Sequence, residues 1–171
     1  MISASTLMDS DENFKLINPH PMPIAIEHPD QPDIARLIEE LDAYQMPLYP
    51  SSSHHGIDMA ALCEPNVVFA VARSDDGQAI GCGAVALGRE YGEIKRMYVR
   101  PGSRSQGIAK ALLAFLESQA SARGLTPFKL ETGSKQSEAI ELYSSSGYVR
   151  CAPFGEYTED ANSVFMCKDT G

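Results

Sequence analysis

The 171-residue chain is 43% hydrophobic and 22% charged, a balance that suits one globular domain and excludes a disordered polymer. Its net charge of −9 excludes a general nucleic-acid or anionic-membrane binder, because such proteins need a basic field. The longest apolar runs, such as Val67–Ala72, are far shorter than the roughly 20 residues that cross a bilayer.

From Met1 to Phe14 the chain carries Asp9, Asp11 and Glu12, with neither a cationic start nor a long apolar stretch. That is not a signal peptide, and a cytoplasmic protein is expected. Residues 1–22 read as a loosely ordered extension ending in Pro21 and Pro23, ahead of a single domain over 23–171. Cys63, Cys82, Cys151 and Cys167 are scattered and form no C-x-x-C pair, as reduced core or surface thiols would be.

Beyond the extension, Ile24–Ile26 reads as a short strand. Ile34, Leu37, Ile38, Leu41 and Tyr44 then recur at helical spacing, after a cap region at Asp30 and Asp33, and Pro47 and Pro50 end the helix. A polar loop runs from Tyr49 to Gly56, and a second short helix is expected over Asp58–Cys63. Val67–Arg73 and Ala79–Leu87 are strands joined by Ser74-Asp75-Asp76-Gly77, and Glu93–Val99 extends the meander. The period then changes. Ala109, Leu112, Leu113, Leu116 and Ala120 line one face of a helix from about Gly107 to Ala122. Phe128–Glu131 alternates as a strand, Ala139, Ile140 and Tyr143 mark another helix, and Tyr148–Cys151 and Ser163–Cys167 are terminal strands. The expected fold is α/β: a mixed sheet, mostly antiparallel, with helices packed on it.

Charge is distributed unevenly along this chain. Residues 1–94 hold 4 basic and 15 acidic groups, residues 95–150 hold 9 and 4, and residues 151–171 hold 1 and 4. A basic central segment in an acidic protein suits a compact polyanion, although chance clustering would look the same. Within it, Arg104-Ser105-Gln106-Gly107-Ile108-Ala109 joins a strand to a helix. Such a turn can aim backbone N–H groups, at the positive end of a helix dipole, toward phosphate oxygens. Gly107 lets the backbone approach a ligand, small Ala109 keeps the first turn open, and Arg100, Arg104 and Lys110 place cations nearby. A plain helix cap is the bland alternative. The sequence holds no G-x-x-x-x-G-K-[ST] and no G-x-G-x-x-G, which argues against a P-loop or dinucleotide site.

Two motifs in order carry a likeness to a known family. Glu93–Pro101 followed by Arg104-x-x-Gly107-x-Ala109, and Gln136–Tyr143 followed by Gly147-Tyr148, resemble the GNAT superfamily of N-acetyltransferases. The likeness spans about residues 24–168 and is nearest to a bacterial branch with Leu130-Glu131-Thr132-Gly133 and Pro153-Phe154-Gly155-Glu156-Tyr157. Gln136 stands where the family often has Asn, and Tyr148 where it often has Phe.

The resemblance implies acetyl-CoA as acyl donor, no metal, and direct transfer to an amine acceptor in a ternary complex. It implies a sheet splayed at the cofactor strand, with helices on both faces. Met97, Tyr98 and Val99 would make backbone contacts with pantetheine, the Met97 N–H would face the thioester oxygen, and Arg104, Ser105, Gln106, Gly107, Ile108, Ala109 and Lys110 would hold the pyrophosphate. Gln136 would reach the cofactor arm or cap its helix. Glu93 matches a strand glutamate used as base, or is a solvated carboxylate. Tyr143 matches the helix tyrosine that protonates the leaving thiolate, or is core packing. Tyr49, Ser53, Glu131, Tyr157 and Glu159 would fall by an acceptor pocket. His54-His55 lacks a spaced ligand partner and reads as loop, and no G-x-S-x-G supports a hydrolase. An exposed edge strand would allow a homodimer. A silent acyl-CoA-binding module, or the same fold with a longer acyl-CoA, remain the alternatives.

Overall fold

Alternation in the strand Val67–Arg73 (β2) buries two sets of side chains, because successive residues point to opposite faces of a sheet. Val68, Ala70 and Ala72 join one apolar cluster, while Phe69 and Val71 join another. A strand buried on both faces lies in the middle of a layered fold. In the computed structural model, which describes residues 22–170, β2 is part of a seven-stranded sheet. Its companions are Ile24–Ile26 (β1), Ala79–Leu87 (β3), Gly92–Val99 (β4), Phe128–Gly133 (β5), Val149–Arg150 (β6) and Ser163–Lys168 (β7). The order is β1-β2-β3-β4-β5-β7-β6, antiparallel throughout except between β4 and β5. A parallel join needs a crossover. Helix Ile108–Ser121 (α3) supplies it, burying Ile108, Leu112, Leu113, Leu116 and Ala120.

Helix Pro32–Gln45 (α1) and the short helix Met59–Leu62 (α2) cover one face, α1 through Ile34, Leu37, Ile38 and Leu41. Helix α3 and helix Ser137–Ser145 (α4) contribute to the core on the other. The start of α1 differs from the expected Asp30/Asp33 cap. Gln31 occupies the cap position without a side-chain cap bond, Pro32 opens the helix, and Asp33 turns to Arg73 at 2.6 Å. Pro at the first position already has helical φ and lacks the N–H a cap would satisfy. Asp58 does cap α2, accepting the Ala61 amide at 2.8 Å. The expected extension lies outside the described residues except for Met22, which packs on the core.

The feature that shapes the site is a bulge in β4. Cys82 pairs with Tyr98 and Ala84 with Lys95, so Gly83 faces both Arg96 and Met97. Arg96 takes a left-handed φ of 55°, which costs a non-glycine residue roughly 1 kcal/mol or more. Its guanidinium holds it there, with Nε and Nη2 donating to the Ile57 carbonyl at 2.9 and 2.7 Å and Nη1 paired with Asp42 of α1. Gly83 lies opposite, where a Cβ would press on the flexible end of the Met97 side chain and on Leu116. A bulge bends its strand. Pairing of β4 with β5 accordingly ends at Ile94–Leu130, while β5 continues alongside β7 to Gly133. The two central strands fork.

Candidate active site

The fork opens a passage through the sheet. On the α3/α4 side lies a cleft of about 680 Å³ and on the α1 side a pocket of about 360 Å³. Leu41, Met97, Gln136, Ala139 and Tyr143 line both. Molecules entering from opposite faces would therefore meet at the fork.

The larger cleft ends at the turn before α3. Ser105 and Gly107 have positive φ, 62° and 77°, and Gly107 is the helix cap. Among the described residues, the amides from Ser105 to Lys110 have no backbone or side-chain acceptor, and the α3 ladder begins with the Ala111 amide on the Gly107 carbonyl. A cluster of open N–H groups at a helix N-terminus is chemically matched to a pyrophosphate. Arg104, Ser105, Gly107, Ile108, Ala109 and Lys110 line the cleft, whereas Gln106 is exposed and does not. Of the three cations expected here, Arg100 is drawn away, paired with Glu40 of α1 at 2.9 Å. Arg104 stays, its Nε donating to the Val99 carbonyl at 3.0 Å, and Lys110 is exposed at the rim. Lys135, not singled out from the sequence, also lines this cleft.

The edge of β4 supplies the next contacts. The Arg100 amide bonds the Ile80 carbonyl of β3 at 2.9 Å. Strand alternation then turns the Val99 amide the other way, into the fork, and Met97, next to the bulge, lines both clefts. Arg104 already takes one lone pair of the Val99 carbonyl. Tyr98 lines the cleft while its ring belongs to the core beneath α1. Gln136 sits at the α4 cap position without a side-chain cap bond, and it lines the cleft.

In the smaller pocket the Glu93 carboxylate is held at one oxygen. Oε1 accepts the Tyr157 hydroxyl at 2.5 Å and pairs with Lys95 Nζ at 2.8 Å, and Lys95 also donates to Tyr157 at 2.7 Å. Tyr157 arrives from the loop after β6 and packs edge-on against Phe154 and His55. Burial, then its bond to Glu93, raises its hydroxyl pKa. Glu131 of β5 also lines the pocket, and burial raises its carboxyl pKa above the ordinary value. Tyr143 is buried against Tyr148, with its ring in the core and an edge on both clefts, so both expected roles fit its placement. Burial raises its pKa, with the Glu131 charge a further cause, and the hydroxyl stays protonated at neutral pH.

Tyr49 and Ser53 line this pocket as expected. Glu159 does not; it lies by a separate depression with Arg150 and Asp160. His54 and His55 are loop residues, yet both line the pocket, which sequence reasoning missed because neighbouring histidines carry no spacing signal. No group of three metal-ligating side chains occurs among the described residues.

The family model for the GNAT acetyltransferases matches residues 34–148. A protein named IAA acetyltransferase from Azospirillum brasilense is 45% identical over 147 residues, covering 85% of this chain and 95% of that protein. A candidate acyl-CoA N-acyltransferase from Klebsiella pneumoniae superposes with a TM-score of 0.75 at 36% identity, covering 87% of this chain and 97% of that one. The Thermoplasma acidophilum PaiA N-acetyltransferase, crystallised with coenzyme A, shares the fold at a TM-score of 0.65 and 16% identity, covering 87% of this chain and all of that one. With the fork, the open amides and these relatives together, the chain belongs to the GNAT acetyltransferase family, enzymes that take their acetyl group from acetyl-CoA.

Proposed function

We propose that this enzyme moves the acetyl group directly to a primary amine of a small molecule or peptide, within a ternary complex assembled at the fork. The observation that carries the reading is the meeting of two clefts at Met97 and Tyr143, one lined by open amides and the other by carboxylates. The 104–110 turn would hold the pyrophosphate of coenzyme A, and the Val99 amide its pantetheine arm.

Amine attack requires a lone pair, so an ammonium must first lose a proton. Glu93 is the acceptor we assign. With Oε1 held by Tyr157 and Lys95, Oε2 is the oxygen left to take that proton, directly or through water. Negative charge then builds on the carbonyl oxygen under attack, where the Met97 amide would donate. As the carbon–sulfur bond breaks, the Tyr143 hydroxyl would donate to the departing thiolate. A raised phenol pKa makes full transfer uphill, so the hydrogen bond comes first and the proton follows late.

The test is release of free thiol from acetyl-CoA in the presence of amino acids, small amines, polyamines, aminoglycosides and short peptides. Amine-dependent release supports the reading. Coenzyme A binding without release for any amine would leave a binding module, and release only with longer acyl-CoA would change the donor.

A further inference from the structure

Glu131 sits at the branch point of the fork. Its neighbour Leu130 is the last β5 residue paired with β4, and Glu131 itself pairs only with Phe165 of β7. Because Glu93 pairs with Lys129, strand alternation puts Glu93, Lys129 and Glu131 on one face of the sheet, the face of the smaller pocket. The other pocket acids are neutralised where they stand, Glu93 by Lys95 and Asp42 by Arg96. Glu131 has no ion pair among the described residues; the Ser163 hydroxyl, His55 and Lys95 favour its charged form from nearby, Glu93 opposes it, and none of them offsets its burial.

An unpaired carboxylate in a partly desolvated pocket is costly unless a ligand cation joins it. Lys95 and Arg96 also line the pocket, and their ion pairs balance them one for one, so among the described lining carboxylates, Lys and Arg (His54 and His55 apart) a single negative charge is left over. We infer that Glu131 is the seat of the acceptor's ammonium group, and that the acceptor is a compact monoamine with one positive charge rather than a polycation. Among the described residues a second ammonium would find no other unpaired carboxylate lining the pocket and would meet Lys95 and Arg96 instead. Burial raises the Glu131 carboxyl, which is what an unfilled cation seat would do, and an ammonium docked there would bring it down. In this arrangement Glu131 positions the nitrogen beside Tyr143, and Glu93 takes the proton.

The inference rests on the acetyl-transfer reading and is tested on Glu131→Gln by steady-state kinetics with a monoamine found in the thiol-release panel. A charge-assisted hydrogen bond is worth roughly 1.5–3 kcal/mol, so KM for the amine should rise about 10- to 100-fold with kcat nearly unchanged. Coenzyme A titration by calorimetry should be unaltered and reports that the variant is folded; Glu131→Asp, which keeps the charge, should recover much of the affinity. The unaltered enzyme should prefer a monoamine over spermidine or an aminoglycoside in kcat/KM. An unchanged KM in Glu131→Gln, a preference for polycations, or a fall confined to kcat would each overturn this inference while leaving acetyl transfer standing. Absence of thiol release with every amine would overturn the parent reading and this one with it.

Discussion

The two clefts that meet at the fork are built in different ways. The cleft assigned to the cofactor in our proposal would rely on backbone: six amides from one continuous turn, Ser105 to Lys110, and the Val99 amide of the adjoining strand edge. The pocket assigned to the acceptor is instead lined by side chains brought from separate places, Tyr49 and His55 from the loop after α1, Glu93 and Lys95 from β4, Glu131 from β5, with Tyr157 behind them from the loop after β6. Backbone recognition suits a ligand whose phosphates are constant, because every residue carries an N–H and only the turn geometry matters. Side-chain recognition suits an acceptor that differs between enzymes. Damage to the first cleft should therefore remove binding of the donor, and damage to the second should alter rate or acceptor affinity while donor binding survives.

The largest effect is expected at Gly107. A glutamate there would set a side chain and a negative charge among the amides we assign to phosphate, at a φ of 77° that costs an L-residue roughly 1–2 kcal/mol. No atom lies within 4 Å of its Cβ position, so the fold should tolerate the change. Gly107→Glu should abolish measurable coenzyme A binding in calorimetry while thermal unfolding remains cooperative; full affinity in a folded variant would move the phosphates elsewhere.

Next in size is Glu93→Gln, which keeps the shape and removes the proton acceptor we propose. Turnover at saturating acetyl-CoA and amine should fall about 10²- to 10⁴-fold at neutral pH, and less at high pH where free amine is abundant. Retention of most of the rate would make Glu93 a strand residue that only anchors Lys95 and Tyr157.

A smaller loss is expected for Tyr143→Phe, since the ring that packs on Tyr148 is kept. Coenzyme A binding should persist and turnover should drop at least about tenfold, the scale of one transition-state hydrogen bond of roughly 1.4 kcal/mol. An unaltered rate with chemistry shown to be limiting would leave the tyrosine as packing alone.

The smallest effect separates function from stability at Glu131. Burial raises its carboxyl pKa above the ordinary 4.5 on folding, so above that pH the folded chain binds more protons than the unfolded one. Stability then falls as pH rises through the interval between the two pKa values. Glu131→Gln should therefore melt at a higher temperature than the unaltered enzyme at pH 7, with the difference shrinking toward pH 4. A lower melting temperature at neutral pH would mean that Glu131 has a partner that stabilises its charge.

The sequence by itself determined the elements, because hydrophobic period is a local property. Ile34, Leu37, Ile38 and Leu41 mark α1, and the runs from Val67 and Ala79 mark β2 and β3, all close to their observed bounds. It also determined the turn before α3, where the chemistry lies in consecutive residues. Only the tertiary structure decided which cations stay at that turn. Arg100 is close in sequence, yet Glu40, sixty residues away, takes it. The bulge was hidden as well, since it exists because Arg96 reaches Asp42 and Ile57 and because Gly83 leaves room for Met97. So was the charge balance of the acceptor pocket, with Glu93 matched by Lys95 and Tyr157 while Glu131 stands unmatched. Strand and helix propensity act over a few neighbouring residues, whereas the partner of a charged side chain is set by which distant elements the sheet brings within about 4 Å.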